Sequence, residues 1–215
     1  MSRTSSRRRF LKAAGIGLAA TTVACIGGGY VATRAPESAV VDLTFAEEST
    51  MSRRILVTYA TRAGSTAEIA AAIARTLGDR GFAVDGKPIK ARPEITGYDA
   101  IIIGSAIRMG CWLPEAVDFV KANQATLNSV PVALFTVHML NTGDDETSRA
   151  NRAAYLDAVR PLIHPAAEAY FAGAMNFARL SFLDRLIARM VGAVEEDRRD
   201  WAAIAAWAER VPVAA

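Results

Sequence analysis

Thr61, Ser65 and Thr66 gather three hydroxyl groups around Gly64, with Arg62 beside them, between the apolar run Ile55-Leu-Val-Thr-Tyr-Ala60 and a segment of helical spacing. Such a turn can seat a phosphate. The first N–H groups of a helix have no intrahelical acceptor and lie at the positive end of its dipole, so they attract an anion. Hydroxyls add donors, Gly64 permits close approach of the backbone, Arg62 adds charge, and Ala63 offers only its main chain. A plainer role for the same hydroxyls is as helix N-caps. His138 is the other chemical candidate, because an imidazole exchanges protons near neutral pH. His164 precedes Pro165 and reads as structural. Neither histidine has a second His, Cys or carboxylate at ligand spacing, so no metal site is expected.

The elements that must position these residues alternate. Apolar, strand-like runs at 54–59, 82–88, 100–104, 130–137 and 168–174 are separated by helical patterns at 65–80, 113–124 and 148–163. Ala70, Ile73, Ala74 and Leu77 show the helical period, and two further helices are expected at 179–191 and 197–210. Alternation of this kind predicts an α/β fold, a three-layer sandwich whose parallel sheet carries helices on both faces. Five strands permit the flavodoxin-like order 2-1-3-4-5, with a ligand site beyond the strand C-termini where the order reverses. Three crests then meet at one edge: 61–66, 105–112 and 136–140. The first lacks both the lysine of a P-loop and the glycine spacing of a dinucleotide fingerprint. A hydroxyl-rich first turn at this sheet position favours flavin mononucleotide (FMN) instead.

The chain has 215 residues, 52% hydrophobic and 22% charged, which suits one α/β domain with an appendage. Six of the 25 basic and four of the 22 acidic residues lie in 1–50, leaving 19 against 18 in the remainder. The domain is thus nearly neutral, and no basic stripe with interleaved aromatics speaks for nucleic acid. Residues 1–34 carry Ser6-Arg-Arg-Arg-Phe-Leu-Lys12 followed by the uncharged run 13–31, which resembles a twin-arginine export signal or a membrane anchor. That leader implies the twin-arginine translocase as a partner and a location across the cytoplasmic membrane, on the periplasmic or outer face, anchored if 13–31 is kept. Cys25 follows Thr22-Val-Ala24, which resembles a lipoprotein processing site. Residues 35–52 read as a solvated linker and 53–215 as the folded domain. With Cys25 in the leader and only Cys111 in the domain, no internal disulfide is expected.

The segments Tyr59-Ala-Thr-Arg-Ala-Gly-Ser-Thr-Ala-Glu-Ile-Ala70, Tyr98-Asp-Ala-Ile-Ile-Ile-Gly-Ser-Ala-Ile-Arg-Met-Gly110 and Asp200-Trp201 carry a more specific likeness. From about residue 55 to 208 the chain resembles the flavodoxin domain, and within it the menaquinone-dependent protoporphyrinogen IX dehydrogenase family. The resemblance implies FMN as cofactor, with Thr61, Arg62, Ala63, Gly64, Ser65 and Thr66 at its phosphate. Ser105, Ala106, Ile107, Arg108, Met109 and Gly110 would flank the isoalloxazine, and Thr136, Val137, His138, Met139 and Leu140 would supply a third wall. Two features depart from the family: the leader would carry the domain away from the cytoplasm, and residues 192–200 lack the usual hydroxyl- and tyrosine-containing approach to the last helix.

Arg108 and His138 are the candidates for tuning the flavin. A guanidinium beside the ring stabilises its anionic reduced form, which favours two-electron exchange with a quinone over low-potential shuttling. The nearly neutral domain points the same way, because shuttle proteins present an acidic docking face. The leading expectation is an FMN-dependent oxidoreductase passing electrons from a reduced, protoporphyrinogen-like substrate to a quinone. An electron carrier serving a redox protein partner, or an FMN-binding module without turnover, are the alternatives. Trp112 is expected either to stack on the flavin or admit a planar substrate, or to cap a helix, and Cys111 to be a small buried hydrophobe. In 179–190, Leu183, Leu186, Ile187 and Met190 recur at helical spacing among Arg179, Arg185 and Arg189. This stripe is expected to pack on the sheet, the alternative being a membrane surface as a further partner. Residues 195–200 read as an exposed, mixed-charge helix entrance.

Overall fold

The computed structural model describes residues 43–45, 53–190 and 194–213; the leader, its apolar run 13–31, Cys25 and most of the 35–52 segment lie outside them. In chain order the strands are β1 (Leu43–Phe45), β2 (Arg54–Ala60), β3 (Ala83–Pro88), β4 (Ala100–Arg108), β5 (Cys111–Trp112), β6 (Val132–His138), β7 (Ala167–Ala172), β8 (Ala174–Met175) and β9 (Glu196–Asp197). The helices are α1 (Ser65–Asp79), α2 (Pro114–Ala122), α3 (Gln124–Leu127), α4 (Glu146–Ala154), α5 (Phe182–Met190) and α6 (Trp201–Arg210). The described residues form two units: an α/β unit that includes everything to Arg179 and from Val194 onward, and a short unit, 180–190, that contains α5.

In the α/β unit the sheet runs β1-β3-β2-β4-β6-β7. Its five parallel strands, counted by themselves, have the expected order 2-1-3-4-5, with β2 paired to β3 and β4, and β6 to β4 and β7. Strand pleating sends alternate residues to opposite faces, and both faces are buried. Ile55, Val57 and Tyr59 join Ile69, Ile73 and Leu77 of α1 and Ile204 and Ala208 of α6. Leu56, Ile101, Ile103 and Leu134 point the other way, to Ala116, Phe119 and Val120 of α2. Each fully buried aliphatic contributes about 1.5–3 kcal/mol. On the α1 face the rings of Phe135, Phe171 and Trp207 form a cluster, Phe171 and Trp207 edge to face at 5.7 Å. Gly104 is required there, since a Cβ at that position would lie 1.9 Å from Phe135.

Several elements differ from the sequence-based expectation. Leu43–Phe45, inside the segment read as linker, form a strand antiparallel to β3. The helix expected at 148–163 ends at Ala154, because the chain then turns with bonds to the third preceding residue and Pro161 has no N–H to continue it. The 113–124 helix breaks at Asn123, whose side-chain amide donates to the Phe119 carbonyl at 2.8 Å. The last strand divides at Gly173, where a Cβ would lie 2.8 Å from Val137, and β8 turns off to pair with β9. Helix α6 starts at Trp201 rather than 197, capped by Asp200, which accepts from the Ala203 N–H at 2.9 Å.

Candidate functional site

The parallel strands β2, β4 and β6 end side by side, Ala60 level with Ser105 and Ala106 with Val137, so the three predicted crests rise from adjacent strands. At the first crest the chain passes from β2 through a left-handed Gly64 (φ 89°) directly into α1. The Gly64 N–H donates to Thr61 Oγ1 at 3.0 Å, and the first helical bond runs from the Glu68 N–H to the Gly64 carbonyl at 3.1 Å. The N–H groups of Ser65, Thr66 and Ala67 therefore precede the helical ladder. Thr66 is fully buried and its Oγ1 has no hydrogen-bond partner; the Nε of Arg62 is likewise buried and unpartnered. A buried polar atom left unpaired costs about 1–3 kcal/mol; Thr58 Oγ1, in β2, is in the same state. Arg62 directs its Nη2 to Glu115 in the first turn of α2 at 3.0 Å.

The other two crests are internally complete. Ser105 is fully buried, with Oγ accepting from the Leu113 N–H at 3.0 Å and donating to the Ala106 carbonyl at 2.9 Å. Thr136 is fully buried and accepts from Trp112 Nε1 at 2.9 Å, and Val137 is a core residue. These three predicted site residues thus turn their side chains inward and shape the rim without offering it a functional group. Trp112 does the same: it belongs to the core, 2% exposed, so the expected stacking and capping roles both give way to packing. Beyond Ser105 the strand continues through half-buried Ala106 and Ile107 to exposed Arg108. It then reverses at Met109 (φ 53°) and Gly110 (φ 78°), two left-handed residues as in a type I′ hairpin, to pair Arg108 with Cys111 and Ile107 with Trp112. Cys111 is exposed, not buried.

Two large apolar side chains stand out on these crests: Met109, 95% exposed, and Leu140, 75% exposed. His138 lies beneath Leu140, buried, with Nδ1 2.6 Å from the Leu140 carbonyl; since a carbonyl only accepts, Nδ1 carries a proton. Burial pushes the His138 pKa down, and Arg152 adds to this against the opposing pull of the Leu140 bond, so the ring is neutral at neutral pH. Half-buried Met139 and Ser65 both approach Gly173, which brings the end of the sheet against the first turn. A cleft of about 430 Å³ beside β7, lined by Thr142, Arg152 and Tyr170, shares only His138 with the predicted residues.

One cluster was not anticipated. Glu68, in the first turn of α1, pairs with both Arg179 and Arg199. Arg199 also holds Asp197 at 2.6 Å and lies 4.6 Å over the Trp201 ring. Burial pushes the Glu68 carboxyl up, but the two guanidinium groups outweigh it and hold the pKa below the ordinary value. Hydrogen bonding from Arg199 takes Asp197 down to about 2. The mixed-charge run at 195–200 is therefore a clamp that fastens the β8–β9 ribbon to α1. Its charge alternation was visible in the sequence; the partner 131 positions away was not. Among the described residues no cluster of His, Cys, Asp and Glu could hold a metal ion.

A doubly wound parallel sheet whose first strand turns directly into a helix at the switch point is the architecture of nucleotide-binding α/β domains. The flavodoxin domain matches residues 56–201, and the chain belongs to that family. Protoporphyrinogen IX dehydrogenase [quinone] of Escherichia coli K12 is 29% identical over 170 residues, covering 74% of this chain and 94% of the relative. The protein of that name from Leishmania major is 26% identical, covering 73% of each chain. Among solved structures, an archaeal flavodoxin is 16% identical with a TM-score of 0.43, covering 63% of this chain and 99% of its own. A Lactobacillus acidophilus flavoprotein in complex with FMN is 14% identical with a TM-score of 0.38, covering 55% of this chain and 93% of its own.

Proposed function

We propose that this chain is an FMN-dependent oxidoreductase that passes electrons from a reduced, protoporphyrinogen-like donor to a quinone. The observation that carries the cofactor is the buried, unpartnered hydroxyl of Thr66 at a helix entrance whose backbone N–H groups are free of the ladder. A phosphate oxygen supplies the missing acceptor. Thr61, Ser65 and Thr66 would hold that phosphate with the N–H groups of the turn, while Met109 and Leu140 give the ring apolar surface. When bound, FMN supplies two-electron redox chemistry. The chain's own residues orient and polarise: Arg108 stands at the hairpin where a cation favours negative charge on a reduced ring, and neutral His138 holds the Leu140 crest. The similarity to the E. coli protoporphyrinogen IX dehydrogenase [quinone], which covers 74% of this chain, supports the donor and acceptor.

The test is direct. Protein purified from its host is expected to show a flavin absorption band, to release FMN on heating, and to reduce a soluble menaquinone analogue in steady state with protoporphyrinogen. Folded protein that takes up no FMN would overturn the cofactor; FMN uptake without quinone reduction would leave the electron carrier. The arginines at 7–9 and the uncharged run that follows them support the translocase as a partner and a location across the membrane, anchored if 13–31 is retained. Arg8→Lys with Arg9→Lys is expected to keep a tagged chain in the cytoplasm.

A further inference from the structure

Helix α4 contributes almost nothing to the core. None of its nine residues is buried, and Ser148 and Arg152 alone are half-buried, the rest being exposed. A helix held by packing buries an apolar stripe; these two residues instead bond the loop that precedes the helix. The Ser148 N–H donates to Asp145, the cap, at 2.9 Å. Arg152, whose side chain is 15% exposed, reaches further back: its Nη1 donates to the carbonyls of both Asn141 and Gly143, each at 2.5 Å. Its contact with Asp144, at 3.9 Å on a fully solvated carboxylate, adds little.

These bonds complete a cage beneath the third crest. The Leu140 carbonyl accepts from His138 Nδ1 at 2.6 Å and, more loosely, from the Tyr155 hydroxyl at 3.5 Å. Asn141, left-handed at φ 59°, donates through Nδ2 to the Tyr155 oxygen at 2.6 Å and accepts at Oδ1 from Asn151 at 3.2 Å. The carbonyls of Leu140, Asn141 and Gly143 are thus all held by side chains, in a turn that buries none of its own residues. Hydrogen bonds, and not apolar packing, give this crest its shape. Arg152 supplies two of them, and both are charge-assisted.

We propose that Arg152 is the positioning residue of the third crest: it fixes the 140–143 turn, and with it Leu140, in the shape that the isoalloxazine meets. The inference rests on the flavin reading of the site and deepens it. One guanidinium nitrogen offers two hydrogens in a fixed plane, which an ammonium on a flexible stem does not reproduce. A turn already in its bound shape incurs no ordering cost when the ligand arrives. Because Arg152 acts through the backbone of the crest and not on the phosphate, its loss should weaken FMN and riboflavin alike.

Amide hydrogen exchange of the flavin-free chain, paired with flavin titrations, tests this. In Arg152→Gln the amides of 140–144 are expected to exchange about tenfold faster than in the parent, with α1 and the parallel strands unchanged, and both flavins to bind about tenfold more weakly. Arg152→Lys is expected to recover part of both losses, and Tyr155→Phe, which keeps the arginine, to show a smaller change in each. Uniformly faster exchange across the sheet would overturn the proposal by reducing Arg152 to a stability residue. Faster exchange at 140–144 with unchanged flavin affinity would overturn it too, as would a loss confined to FMN, which would make Arg152 a phosphate contact. A parent chain that binds neither flavin would overturn the cofactor reading and the positioning role together, whereas a parent that binds both and an Arg152→Gln variant that matches it would overturn the positioning role alone.

Discussion

The first crest and its two neighbours sit at one edge of one sheet, yet they are finished differently. At 61–66 the turn leaves a buried hydroxyl and a buried guanidinium nitrogen unpaired. At 105–112 and 136–140 the hydroxyls of Ser105 and Thr136 are consumed by the Leu113 N–H and by Trp112. Polar atoms are left unsatisfied at one crest and satisfied at the others: under the proposed function the first would receive a charged group, while the others hold a shape and present Met109 and Leu140. Chemical type by itself would not separate them, because Thr66, Ser105 and Thr136 are all buried hydroxyl residues.

Substitutions at the two kinds of crest should therefore move different observables. The largest effect is expected for Gly64→Val, which forces a β-branched residue into a left-handed φ of 89° and crowds the approach to the turn; FMN affinity in a fluorescence titration should fall about 100-fold. Thr136→Val should lower stability by about 1–3 kcal/mol in urea denaturation by stranding the buried Trp112 N–H, with FMN affinity nearly unchanged. Loss of affinity there would break the distinction between the crests. Thr66→Val should act with opposite signs, raising the stability of the flavin-free protein by about 1 kcal/mol and weakening FMN about tenfold. No gain in stability would mean that Thr66 is satisfied without a ligand.

The smallest effect is a pH dependence beneath the third crest. The folded pKa of His138 lies below its ordinary value of 6.5, so the unfolded chain binds more protons as pH falls through that value. The contribution is present in full above about pH 6.5 and declines below it. Thermal denaturation from pH 7.5 to 5 should show a shallower slope in His138→Asn than in the parent chain. The Glu68 and Asp197 clamp responds only in more acid solution, because both carboxyls are held below their ordinary values and stay ionised until the pH falls through the folded ones.

Much of this organisation can be read locally. The period of Ala70, Ile73, Ala74 and Leu77 matches the buried face of α1, and the apolar runs match the parallel strands because both sheet faces are covered. The turn into α1 is legible for the same reason: glycine, hydroxyls and a helix start lie within six residues. Leu43–Phe45 were not legible, since three residues amid acids form a strand only where β3 offers an unpaired edge. The boundary of the 148–163 helix was legible only in part: Pro161 marks a stop, but the tighter turns at 155–162 leave no mark in the residue pattern.

Residue order alone determined where the parallel strands and α1 lie and the place of the glycine- and hydroxyl-bearing turn between them, because periodicity, glycine placement and helix starts act over a few neighbouring positions. Only the tertiary structure decided which hydroxyls are paired, which tryptophan is core and which arginines answer Glu68. Those outcomes depend on what residues remote in sequence bring into contact or leave uncovered, and a pattern of residue types carries no record of that.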